Sequence, residues 1–220
     1  MSAASSGARA IPAEPVEIRG PAGTLEALVE TPATPAPVVA VMCHPHPLHG
    51  GTMTNKVVHT VARTMSRLGA TTVRFNFRGV GKSSGTYSEG IGERDDAIAV
   101  AEWARAARPG ARLVLAGFSF GAAVAISIAV RVDAAALVSI APPIGRLPAD
   151  LVLPVCPWLI VHGSEDEIIP LADVQRWHAR HAAGARLAVI DGATHFFHGK
   201  LTALADEVAA FARTDARLGL

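Results

Sequence analysis

The sequence predicts an α/β protein: a mostly parallel sheet with antiparallel N-terminal strands at one edge and helices on both faces. Three observations carry this. From about residue 38 onward, short apolar runs alternate with segments of helical periodicity. Two earlier segments alternate apolar and polar residues, as half-exposed strands do. Half of the 220 residues are hydrophobic and 18% are charged, the balance of a globular chain, with no internal repeat or second composition regime to suggest more than one domain.

In chain order, residues 1–15 are rich in Ser and Ala, lack the apolar centre of a secretory signal, and read as a flexible tail. Val16-Glu17-Ile18 and residues 25–29 are strands around the turn signal Gly20-Pro21-Ala22-Gly23. Residues 38–42 form the continuous apolar run of a strand buried on both faces. Asn55 caps a helix in which Val57, Val58, Val61, Met65 and Leu68 keep helical spacing and Gly69 is the stop. A strand over 71–77 follows, then a helix over 95–108 that ends before Pro109-Gly110. Next come a strand over 112–116, a helix over 120–130, and strands over 135–140 and 158–161. A helix over 171–182, a strand over 186–190 and a helix over 201–214 complete the pattern. The proline-rich stretch 141–157 is short and leaves little room for a lid or cap domain.

Composition narrows the function. The formal net charge is +1, and no basic cluster with interleaved aromatics occurs, so nothing points to a nucleic-acid partner. The longest strongly apolar stretch, 120–130, is too short for a membrane span, which needs about 20 residues. Cys43 and Cys156 give neither a disulfide framework nor metal spacing. Both are expected in separate strands as buried free thiols, in a reducing, cytoplasmic setting. A homo-oligomer stays open, because an edge strand or terminal helix can pair without leaving a trace in the sequence.

Gly117-Phe118-Ser119-Phe120-Gly121 reads G-x-S-x-G and joins the apolar run 113–116 to an alanine-rich helix. On such a tight strand-to-helix turn the serine Oγ stands exposed at the top of the sheet. A serine hydroxyl needs a base within hydrogen-bond reach, and the base needs a third group to fix its tautomer. Both belong on loops at the carboxyl ends of later strands. After Val161 comes His162-Gly163-Ser164-Glu165-Asp166-Glu167, with three acids. After Ile190 comes Asp191-Gly192-Ala193-Thr194-His195-Phe196-Phe197-His198, with two histidines. Acid and base thus fall at independently expected places.

Two competing motifs are weaker. His44, His46 and His49 are closely spaced, but the prolines between them and the lack of further ligands disfavour zinc, and His44 fits a loop brace better. Gly79-Val80-Gly81-Lys82-Ser83 looks like the end of a phosphate loop, yet Asn76 stands where that motif requires glycine. It reads instead as a loop near the rim of the site.

These segments together resemble the α/β-hydrolase superfamily, and within it a group of small, lidless bacterial hydrolases, from about Val16 to the last helix. The resemblance rests on His44-Pro45-His46-Pro47-Leu48-His49-Gly50-Gly51, Phe75-Asn76-Phe77-Arg78-Gly79-Val80-Gly81-Lys82-Ser83, the serine turn, His162-Gly163 with Asp166, and Gly192-Ala193-Thr194-His195-Phe196-Phe197. It implies the α/β-hydrolase fold without a cap domain, with Ser119 as nucleophile, Asp166 as acid and His195 as base. Asp166 stands three residues after Gly163, where the superfamily places its acid, so Glu165 and Glu167 are expected as solvated loop charges. His195 is taken over His198 because it directly follows the Gly192-Ala193-Thr194 turn.

An oxyanion hole needs two backbone N–H groups, one of them from Phe120. Pro45 and Pro47 have no N–H, so His46 is the second candidate and Leu48 the fallback. The expected activity is cleavage of a small-molecule, short-acyl carboxylic ester through an acyl-enzyme, with no cofactor. Walls of the pocket are expected from the loops around His46, Val80 and Ile144. A thioesterase, peptidase or acyltransferase would use the same triad. A non-catalytic scaffold used for binding is the alternative from another class.

Overall fold

The computed structural model describes residues 11–148, 150–214 and 218–220. The first two strands, β1 (Ala13–Gly20) and β2 (Gly23–Glu30), form a hairpin, and β2 pairs antiparallel with β4 (Thr71–Phe75). Every other pairing is parallel. It links β3 (Val38–Cys43), β5 (Arg112–Phe118), β6 (Ala136–Ile140), β7 (Trp158–Gly163) and β8 (Arg186–Ile190) into one eight-stranded sheet of order β1-β2-β4-β3-β5-β6-β7-β8. Among the described residues, five α-helices cover it: α1 (Lys56–Arg67), α2 (Ile91–Ala107), α3 (Phe120–Ile128), α4 (Leu171–His181) and α5 (Leu201–Thr214).

Strand β3 shows why the apolar runs are unbroken. Val39, Val41 and Cys43 belong to the core on the face covered by α2 and α3, while Val38, Ala40 and Met42 belong to the core on the face covered by α1. A strand with helices on both faces has no solvent side to mark with polar residues.

Most expected elements are present, with boundaries moved by side chains from distant segments. Asn55 caps α1 as expected, its Oδ1 accepting from Val57 N–H at 2.9 Å. Helix α2 begins at Ile91, four residues before the expected start, because the Glu93 carboxylate accepts from Ser88 and Gly90 N–H, both at 2.8 Å. Strand β4 stops at Phe75 rather than residue 77, since the Phe77 N–H donates to His44 Nε2 at 3.0 Å instead of to a strand. Strands β5 and β7 run on to Phe118 and Gly163, where the ladders continue through Phe118↔Ile140 and Gly163↔Ile190.

The flexible-tail reading of 1–15 fails at its end: Ala13–Pro15 pair with residues 28–30, while residues 1–10 lie outside the described residues. Cys156 also departs from expectation. It lies in the loop before β7, partly exposed and packed against the core, rather than buried in a strand. Cys43 is fully buried in β3, and burial pushes its thiol up. Among the described residues, no helix is long and apolar enough to cross a membrane.

Candidate active site

The serine turn is built by two close approaches. A Cβ on Gly117 would overlap the Gly121 carbonyl, and one on Gly121 would overlap the Cys43 carbonyl at the end of β3. Ser119 itself takes φ 53°, ψ −119°, a conformation that L residues rarely adopt. Its N–H is anchored on the Ile140 carbonyl at 2.8 Å. The strain is held between two parallel strands and the start of α3.

Asp166 and His195 come from the loops after β7 and β8, which are stitched together. Glu165 N–H donates to the Ala193 carbonyl at 2.9 Å, and Gly192 N–H donates to Ser164 Oγ at 2.8 Å. A side chain on Gly163 would overlap the Ala193 carbonyl, so the two loops meet only because glycine stands there. Asp166 Oδ1 accepts from Ile168 and Ile169 N–H at 2.9 and 2.7 Å. Its Oδ2 lies 2.8 Å from His195 Nδ1, and His195 Nε2 lies 3.1 Å from Ser119 Oγ. Burial alone would raise the Asp166 carboxyl, but the His195 hydrogen bond and the Ile169 and Ile168 N–H groups outweigh it and hold the carboxyl below its ordinary range. Asp166 is therefore an anion that accepts from Nδ1–H, leaving Nε2 bare to face the hydroxyl. The structure brings Ser119, His195 and Asp166 into one hydrogen-bonded line.

The two candidate oxyanion donors line the same cleft as Ser119 and His195. Phe120 opens α3, and His46 precedes the short helical turn Pro47–His49. Among the described residues neither backbone N–H enters a backbone hydrogen bond outside the regular elements, whereas the fallback Leu48 N–H is taken by His46 Nδ1 at 3.2 Å. The His46 ring stacks on His49 at 4.4 Å and meets the Tyr87 hydroxyl at 3.2 Å.

Residues 46–155 match the family model described as serine aminopeptidase, S33. A lidless α/β serine hydrolase of Xanthomonas campestris is 42% identical, with a TM-score of 0.87 over 91% of this chain and 94% of that one. An α/β serine hydrolase homologue of Coxiella burnetii is 43% identical, with a TM-score of 0.86 over 90% and 96% of the two chains. An uncharacterised protein of Rickettsia prowazekii is 32% identical over 200 residues, 84% of this chain and 82% of that protein. The chain belongs to the α/β serine hydrolase family.

Ser119 of this hydrolase opens on a cleft of about 400 Å³, whose walls include His46, Phe120, Ile144, Ile168, His195 and Phe196. Val80 is not among them, which corrects the expected rim. It is buried, and its loop is sewn onto β2: Glu26 Oε2 accepts from Lys82 N–H and Asn76 Nδ2 at 2.9 and 2.8 Å, while Ser83 Oγ accepts from Glu26 N–H. A larger groove of about 820 Å³ beside His59, Arg63 and Arg67 has no serine–histidine hydrogen bond among its described walls.

Glu165 and Glu167 are exposed, as expected, and Glu167 has a further part: its Oε2 accepts the His195 N–H at 3.0 Å and ties the loop after β8 to the loop after β7. His162 carried no assignment in the sequence, although it directly precedes the glycine of the acid turn. Fully buried, it donates through Nε2 to the Ile169 carbonyl at 2.9 Å, with the same nitrogen 3.4 Å from Asp166 Oδ2. Among the described residues, no group of three or more His, Cys, Asp or Glu is placed to hold a metal ion.

Proposed function

We propose that this hydrolase cleaves small or short-acyl carboxylic esters through a Ser119–His195–Asp166 triad and a covalent acyl-enzyme. The observation that supports it most directly is the continuous line from Asp166 Oδ2 to His195 Nδ1 at 2.8 Å and from His195 Nε2 to Ser119 Oγ at 3.1 Å. Ser119 Oγ attacks the acyl carbon as its proton passes to His195 Nε2. Negative charge grows on the carbonyl oxygen, where the Phe120 and His46 N–H groups receive it. The tetrahedral adduct collapses, His195 returns the proton to the departing alkoxide, and the acyl group stays on Ser119. Water then attacks the acyl-enzyme, giving its proton to Nε2. The second collapse restores the Ser119 hydroxyl and releases the acid. Asp166 keeps Nδ1–H in place and stabilises the imidazolium throughout. The open cleft, with no cap inserted among the described residues, favours short acyl groups.

The family model's description favours a second reading, cleavage of a peptide at its free amino end. A bound ammonium group needs a carboxylate, and the cleft's Asp173 is already paired with Arg176. Matched ester and aminoacyl-amide substrates of one acyl group separate the two readings.

Ser119→Ala is expected to lower kcat on p-nitrophenyl acetate by about 10⁴-fold or more and to abolish fluorophosphonate labelling, with the melting temperature retained. Turnover by that variant at the wild-type rate, or a wild type that takes no fluorophosphonate, sinks the assignment.

A further inference from the structure

The second oxyanion donor belongs to the peptide joining Pro45 to His46. In a trans peptide the carbonyl and the N–H point opposite ways from one rigid plane, so whatever holds the Pro45 oxygen also aims the His46 N–H. No described peptide is cis. His44 Nδ1 holds that oxygen at 2.6 Å. The imidazole is itself fixed: it is fully buried, lies edge-on to Phe77 with ring centroids 4.7 Å apart, and receives the Phe77 N–H on Nε2 at 3.0 Å. A backbone N–H only donates, so Nε2 is bare and Nδ1 carries the hydrogen given to Pro45. The far end of the loop closes on the same group, for a Cβ on Gly51 would overlap the Pro45 carbonyl. The next peptide is held as well, since the His46 carbonyl accepts from His49 and Gly51 N–H, both at 3.0 Å.

We propose that His44 is a positioning residue of the oxyanion hole: its Nδ1–H pins the Pro45 carbonyl away from the cleft so that the His46 N–H faces Ser119 Oγ, and the Phe77 N–H selects the tautomer that does this. The proposal rests on the reading of His46 as the second donor. Without the pin the peptide plane is free to rotate, and a rotated plane presents an oxygen where the alkoxide develops. The loss then falls on the transition state, so kcat drops while KM stays.

Three variants separate this role from support of the fold. His44→Asn keeps a side-chain N–H near the place of Nδ1 and gives up the Phe77 contact. His44→Gln keeps an acceptor near the place of Nε2 for Phe77 and gives up the pin. His44→Ala gives up both. The readouts are kcat and KM on p-nitrophenyl acetate, Ki for a trifluoromethyl ketone whose serine adduct bears the oxyanion, and melting temperature.

His44→Gln and His44→Ala are expected to lose about 10- to 100-fold in kcat, less than the roughly 10²- to 10³-fold of deleting a donor. KM should stay within about twofold, and Ki should rise as kcat falls. His44→Asn should retain most of kcat, and His44→Gln should recover melting temperature over His44→Ala without recovering kcat. If His44→Ala does not fold, the Asn and Gln variants carry the comparison.

Wild-type kcat and Ki in His44→Gln, or losses that merely track melting temperature across the series, overturn the proposal. Fluorophosphonate labelling of the wild type tests the Ser119 reading separately. Its absence removes the parent mechanism, while labelling with an unchanged Ki series removes this proposal alone.

Discussion

His44 and His162 carry no step of the proposed chemistry, yet both are fully buried with one ring nitrogen donating to a backbone carbonyl. Burial pushes His44 down from 6.5 to about 4 and moves His162 in the same direction. Each is neutral in the fold and takes up a proton on unfolding below about pH 6.5, so the unfolded chain binds more protons there. For His44 that contribution to stability is complete above about pH 6.5 and is lost as pH falls toward 4, and His162 has the same sign. For His44 the interval corresponds to about 3 kcal/mol. Asp166, held below 3.8, has the same sign at still lower pH. Thermal melts should be flat above about pH 7 and fall between 6.5 and 4.5, with a shallower fall in His44→Asn. A wild-type melting temperature that does not change from pH 7 to 4.5 contradicts the neutral buried rings. That Ser119, Asp166 and His195 come together is legible in the sequence; the groups that support them are not. Nothing in Glu165-Asp166-Glu167 tells that Glu167 receives the His195 N–H, because that partner is 28 residues away.

Elements are fixed to one another by a few charged anchors as well as by the core. The Asp96 carboxylate in α2 has no exposed surface, and it accepts from Arg78 Nε at 2.9 Å, Arg78 Nη2 at 2.7 Å and Arg78 N–H at 3.0 Å. Gly92, one turn earlier, leaves the space that the guanidinium fills. Arg78→Ala leaves a buried carboxylate with only a backbone partner and is expected to cost about 3–5 kcal/mol, measured as a lower urea midpoint. A double variant, Arg78→Met with Asp96→Leu, should recover much of that loss, and failure to recover it would show that more than the charge pair holds α2. The same anchors explain which boundaries the sequence misses. Local periodicity locates β3, β8 and α5 because their apolar positions alone define them. The start of α2 depends on Glu93 reaching back to Gly90, whose φ of 86° no periodicity reports. The end of β4 depends on a histidine 33 residues earlier.

Across the whole molecule, the sheet sets Ser119 at its centre and leaves the cleft uncovered. An acyl chain gains about 0.8 kcal/mol for each methylene buried, a factor of roughly four, and nothing for those left in water. With about 400 Å³ of open cleft, kcat/KM on p-nitrophenyl esters should rise over the first few carbons and then level off. Octanoate should be no better than butyrate, and a continued rise to palmitate contradicts the short-acyl reading. The seam between the β7 and β8 loops has a consequence in time. The strands that seat Ser119, β3, β5 and β6, all lie within the first 140 residues, while the proposed acid and base arrive at positions 166 and 195. Synthesis delivers the chain from its N-terminus. A growing chain thus carries Ser119 without its proposed partners until the stretch after β8 has been made.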